Sequence, residues 1–323
     1  MPALTDGSAG GGPLAYGDPV TQAWSNLLVV TVLALLCAGY GRGVHELWSR
    51  RGTGAVVARW RVAGFALGIA AVLVASTGPG HVWAERSFAG HMGQHMILLV
   101  VAGPALAAAA PGLPLALAAP RRLRRRWARW RTSTAGSWVR RRPGALAVLA
   151  GVLHAAVLWG WHLPAPYRLA AEHGLVHAAE HASFVVAAAL LWSVLLGADR
   201  HRISGPAAVL VLVATMLAAS ALGAALTLAP GPVYPAGILA PHGGDPEADQ
   251  QLAGLLMWIP MDVAVLVAAS VVFLRWLAGL DRALPRASGL PPEGPAGPVP
   301  RGPARADPID RAPARPAAGK DTR

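Results

Sequence analysis

Seven nearly unbroken apolar stretches, near 24–41, 60–77, 91–110, 145–161, 174–197, 206–229 and 252–276, alternate with more polar segments along the chain. Each is about 17 to 24 residues long, enough for a helix rising about 1.5 Å per residue to cross a hydrocarbon core roughly 30 Å thick. The pattern predicts an all-α fold: a polytopic membrane helical bundle of about seven transmembrane helices, occupying residues 23–282. Residues 1–22 are Gly-rich and polar, and residues 283–323 are rich in Pro, Arg and Ala. Neither segment has enough apolar material to pack, so both are expected to be disordered. No charged stretch precedes the first span, which argues against a cleaved signal peptide.

Composition agrees with the pattern: 54% of residues are hydrophobic and 14% charged, and the mean hydropathy is +0.44, too apolar for a water-soluble chain of this length. A formal charge of +12 raises the question of a nucleic-acid partner. The basic residues sit between apolar runs without interleaved stacking aromatics, so no nucleic acid is expected. The single cysteine, Cys37, lies inside an apolar run. A disulfide or a multi-thiolate site within one chain is therefore excluded, and any metal must be held by His, Met or carboxylate.

Charge placement predicts orientation. Arg42, Arg50, Arg51, Arg59 and Arg61 follow the first span, ten arginines between Arg121 and Arg142 follow the third, and Arg200 and Arg202 follow the fifth. The alternate segments carry only Arg86 and Arg168, and an acidic loop with Asp245, Glu247 and Asp249. By the positive-inside rule the N-terminus is outside and the C-terminus inside. The arginine run at 121–142 is read as a topology determinant beside the anionic headgroups of the lipid bilayer.

Of eleven histidines, only His45 and His201 fall on the inside. His81, His91, His95, His154, His162, His173, His177, His181 and His242 map to outside loops or the outer halves of spans. Polar side chains within spans are costly and face a bundle interior or a water-filled cavity. His91 and His95 are four apart on the third span, and His173, His177 and His181 step by four along the fifth, so each set forms a stripe on one helix face. Counting from the span ends puts His95 and His177 roughly 5 Å deep, and His181 and His154 roughly 10 Å deep. Two ligand layers from three helices follow, a common construction for a metal site inside a bundle.

Met92 and Met96 flank the first pair, and Met257 and Met261 are four apart in the last span. Thioether suits Cu(I), and imidazole suits Cu, Zn, Fe and Ni, so the mixture points first to copper, although methionines at helical spacing also serve as packing. Glu180, three residues from His177, either ligates, fixes an imidazole tautomer, or snorkels to the interface. Asp262 falls near the middle of the last span, where it needs either a functional partner or a proton and a hydrogen bond.

The segments His91–Leu99 (HMGQHMILL), Trp159–Tyr167 (WGWHLPAPY), His173–His181 (HGLVHAAEH) and Asp249–Pro260 (DQQLAGLLMWIP) together resemble the CtaG family of polytopic bacterial cytochrome c oxidase assembly factors. They do not resemble the single-span, cysteine-containing copper chaperone that shares the name. The resemblance covers about residues 60–276 and departs at Met261 and Asp262, where the family carries small residues. It implies a non-enzymatic role in maturing a haem-copper oxidase, with copper delivered to oxidase subunits as partners. His91, His95, His162, His177 and His181 are the positions carried over, and the location implied is the bacterial cytoplasmic membrane. Two other classes remain open on the residues alone. Paired histidines on facing helices also ligate haem, and an open histidine-held metal also serves a membrane metalloenzyme.

Overall fold

A computed structural model describes residues 19–196, 203, 205–239 and 244–283. Arg200, His201, Arg202, His242, most of the expected N-terminal segment and the expected tail from 284 lie outside the described residues. The chain divides into two units, Met1–Gly279 and Leu280–Arg323. The histidines among the described residues all belong to the first.

The described residues are mostly helical and contain no strand. In chain order they form α1 (Pro19–Arg51), α2 (Arg59–Ser76), α3 (Pro79–Arg86), α4 (Phe88–Met96), a π-helical stretch (Ile97–Ala102), α5 (Gly103–Ala109), α6 (Gly112–Ala118), α7 (Arg121–Thr132) and α8 (Thr134–Arg141). These are followed by α9 (Pro143–Trp161), α10 (Pro164–Glu172), α11 (Gly174–Leu196), α12 (Gly205–Thr227), α13 (Ala236–Leu239) and α14 (Pro246–Ala283). Among the described residues, seven helical segments are long and apolar enough to cross a membrane: Val20–Arg51, Arg59–Arg86, Phe88–Ala109, Pro143–Trp161, Gly174–Leu196, Gly205–Thr227 and Pro246–Leu280. The seven predicted spans are all present. Their helices run further than the apolar stretches do. Arg42, Arg50 and Arg51 continue α1, Arg59 and Arg61 open α2, and Glu247 and Asp249 open α14. The expected basic loop at 121–142 is two short helices, α7 and α8. Helix propensity explains the difference, because arginine and glutamate propagate a helix well after it has left the apolar layer.

Burial is inverted relative to a water-soluble protein. Leu35, Leu149, Leu210 and Leu266 are 60–70% exposed, while His91, His95 and Glu180 are fully buried. Leucine outside and ionisable groups inside is the arrangement expected when the solvent is lipid. The third span, α4 to α5, is the most enclosed. Pro104 lacks the N–H that an α-helix needs four residues after Val100, and the π-helical stretch lies immediately before it. At Gly103 the third span meets α11: a Cβ there would fall 2.4 Å from the Cβ of Ala188. Only glycine permits this approach, which holds the two histidine-bearing helices together. α14 meets α12 in the same way at Gly254, where a Cβ would fall 2.3 Å from Thr227 Oγ1.

Candidate metal centre

The site begins with the way α4 starts. Ser87, in extended conformation, accepts a hydrogen bond from the Gly90 N–H at 2.9 Å. Asp249, in the first turn of α14, accepts the N–H groups of Phe88 at 2.7 Å and Ala89 at 3.1 Å. Both use N–H groups that a helix start leaves without partners, and the carboxylate also complements the positive end of the helix dipole. The capped start makes His91 the fourth residue of α4 and His95 the eighth. α11 starts at Gly174, so His177 and His181 are likewise its fourth and eighth residues.

The two stripes therefore face each other in register. His91 stacks on His177 with ring centroids 5.0 Å apart, and His95 meets His181 at 5.6 Å. Within the stripes His91 and His95 are 4.5 Å apart, and His177 and His181 are 4.1 Å apart. Counting from the edges of apolar stretches had placed His95 level with His177. The correction is one helical turn, because α4 begins at Phe88 rather than at the first residue of the apolar stretch.

Glu180 completes the centre. Its oxygens lie 3.5 Å from His95 Nε2 and 4.0 Å from His91 Nε2, beyond hydrogen-bond length, and neither oxygen receives a hydrogen bond. One donor atom from each of His91, His95 and Glu180 lies within 4.8 Å of the other two. Ligand atoms held at about 2.0–2.2 Å from one ion sit roughly 3–4 Å from each other. The two gaps from Glu180 to the imidazoles are of that size. His95 also has no hydrogen-bond partner at either nitrogen, and Nε2 of His177 and of His181 has none. His181 Nδ1 is 3.0 Å from Ser76 Oγ, which orients its ring and leaves Nε2 turned inward. A buried carboxylate with no donor, beside the unpartnered His95 ring, is costly unless a cation compensates it.

His162 closes one side. Its Nδ1 lies 2.6 Å from the Leu158 carbonyl, which can only accept, so Nδ1 carries the hydrogen. Burial pushes His162 down to about 4, against the opposing effect of that backbone hydrogen bond. In the neutral ring Nε2 is a lone pair, and it points at Met92 Sδ 3.2 Å away. Two donor atoms without a hydrogen between them are poor partners for each other and a fitting pair for a soft ion. His162 is 5.5 Å from His95 by ring centroids. Its carbonyl accepts from the Tyr234 hydroxyl, which burial keeps protonated by pushing its pKa up. Tyr167 and Phe88 pack beneath, and Tyr167 meets the His91 ring at 5.1 Å.

Other candidates lie apart. His173 is exposed at the C-terminal cap of α10, its Nδ1 3.3 Å from the Leu169 carbonyl. The expected three-histidine stripe is two long because α11 begins one residue after it. His154 is buried with both nitrogens unpartnered, but no ring contact joins it to the cluster among the described residues. It precedes His162 by eight residues, about 12 Å along α9. Met96, Met257 and Met261 pack in the apolar core. Asp262 pairs with a neighbouring helix: the Ser220 hydroxyl reaches its oxygens at 2.7 and 2.9 Å.

Three side chains that the sequence did not assign to the site lie at it or support it. His81 lies beside His177, with ring centroids 6.4 Å apart. Gln94 donates to the Ala75 carbonyl at 2.6 Å, tying α4 to α2. Gln250 accepts from the Val233 N–H at 2.6 Å and donates to the Leu226 and Gly231 carbonyls, fastening the connection between α12 and α14.

Residues 38–279 match the family described as cytochrome c oxidase caa3 assembly factor, Caa3_CtaG. No curated protein and no solved structure matches the chain.

Proposed function

Because the chain belongs to the cytochrome c oxidase caa3 assembly factor family, we propose that it serves oxidase maturation by holding copper between α4 and α11 and releasing it to oxidase subunits. The observation that carries this reading is the buried trio His91, His95 and Glu180, one donor atom of each lying within 4.8 Å of the other two. His177 and His181 supply further inward nitrogens, and the Met92 sulfur facing His162 supplies the soft donor that favours copper over zinc or iron. The histidine rings pack directly on one another at 4.1–5.6 Å. Such packing suits a small ion and leaves no slot between these rings for a porphyrin, so haem ranks below copper. The arginine distribution supports placing this end of the bundle outside a bacterial cytoplasmic membrane.

The test is copper per oxidase in membranes. Cells carrying full-length protein with His91 and His95 both replaced by Ala, and cells lacking the gene, are expected to keep oxidase polypeptides in the membrane but to lose their copper and activity. Normal copper loading and normal oxidase activity in the variant defeat the metal-transfer reading. Loss of the polypeptides themselves in the gene deletion, with the histidine variant normal, shows a scaffold instead.

A further inference from the structure

Outside the centre, another pair of ligand-type side chains lies beside it, with His81 next to His177. α3 is a short helix set off from α2 by Gly78, whose φ of +56° breaks the chain direction. Its His81 and Glu85 are four residues apart and share a face, with His81 Nε2 3.2 Å from Glu85 Oε1. The two differ in access: the Glu85 side chain is 42% exposed and that of His81 is 14%. The other nitrogen of His81, Nδ1, is buried and has no hydrogen-bond partner. Its ring is 6.4 Å from His177, which in turn is 5.0 Å from His91 and 4.1 Å from His181. Donors thus run from an exposed carboxylate through a half-buried imidazole to fully enclosed ones.

A centre that is wholly buried poses a problem of access. An ion must shed its water to enter, and shedding it all at once is expensive unless protein ligands replace it stepwise. We infer that Glu85 and His81 form an uptake site for a first-row transition-metal ion, copper on the reading above, and hand it to the buried centre through His177. This inference rests on that reading. The step is a ligand exchange: a bond from the ion to Glu85 or His81 breaks as a bond to a His177 nitrogen forms, and the ion keeps its oxidation state throughout. Imidazole nitrogen and carboxylate oxygen form a borderline-to-hard pair without sulfur, so the mouth holds a soft ion more weakly than the interior does, and transfer runs inward.

The experiment uses purified full-length protein and Cu(I) presented as its coloured bicinchoninate complex, with loss of colour followed by rapid mixing and final copper measured after equilibration. His81→Ala and Glu85→Gln are each expected to slow loading at least about tenfold, a perturbation of the size seen when groups flanking a metal site are removed. The copper finally held in the buried centre is expected to stay close to that of the wild type. His45→Ala, at the opposite end of α1 and exposed, is the control and loads at the wild-type rate. Glu85→Gln decides the matter if His81→Ala fails to fold, because Glu85 is substantially exposed and its amide is nearly isosteric. Wild-type loading rates in both variants overturn the uptake site while leaving the buried centre standing. A wild-type protein that takes up no copper overturns the proposed function, and the uptake site falls with it.

Discussion

The Asp249 carboxylate accepts the backbone N–H of Phe88 at 2.7 Å, joining the first turn of the last span to the first turn of the third. The bond sets where α4 begins, and so sets the level at which His91 and His95 meet α11. Asp249→Ala is expected to cost about 0.5–2 kcal/mol, the range for losing a helix cap. It should also weaken copper binding, because the His91 turn frays. Asp249→Asn keeps one acceptor oxygen and should fall between. Thermal unfolding in detergent and copper titration check both, and an Ala variant with unchanged melting removes the capping role.

Glu180→Gln separates the cost of the site from its use. The buried carboxylate has no hydrogen-bond donor, so its neutral isostere should leave the metal-free protein as stable as the wild type or more stable. Copper should then stabilise the wild type and fail to stabilise the variant, since binding to the folded state raises stability only in proportion to affinity. The comparison is melting temperature with and without copper in each protein. Equal copper-induced shifts remove Glu180 from the centre.

His173 and His177 are four residues apart and looked equivalent in the sequence. Replacing His177, buried against His91, with Ala should reduce copper affinity, whereas His173→Ala should leave it unchanged because that ring lies exposed on the cap of α10. Equilibrium dialysis under reducing conditions reads both. Equal losses return His173 to the centre.

Gly103→Ala places a methyl where Ala188 already stands. Overpacking of this kind costs about 1–3 kcal/mol, and here it also parts the third span from α11. The expected result is a lower unfolding midpoint together with reduced copper affinity, although no ligand has been touched. Wild-type values for both show that the helices separate without harm.

Reporter fusions at Arg125, in α7, and at Asp245, before α14, should signal opposite compartments, with Arg125 inside. The same compartment for both refutes the seven-span topology, and opposite compartments with Arg125 outside reverse its direction.

The helices and the candidate chemistry were legible because both depend on local order. Apolar stretches of spanning length can satisfy their backbone in lipid only as helices, and a four-residue repeat puts His91 with His95, and His177 with His181, on single faces whatever surrounds them. What faces what was not legible. Register between α4 and α11 depends on where each helix starts, and α4 starts where Asp249 caps it from 161 residues away. The start of α11 at Gly174 leaves His173 off its stripe, and the path of α9 leaves His154 about two turns from His162. Glu180 was open to three readings, and its burial beside His91 and His95 removes the snorkelling one. His81 had no partner in its own stretch except Glu85, and its place beside His177 appears only once the chain turns at Gly78. Local sequence determines helices and the faces they carry, because those follow from backbone hydrogen bonds and spacing. The assembly of a centre from several helices was decided by caps, close approaches at Gly103 and packing between distant segments, which only the tertiary structure brings together.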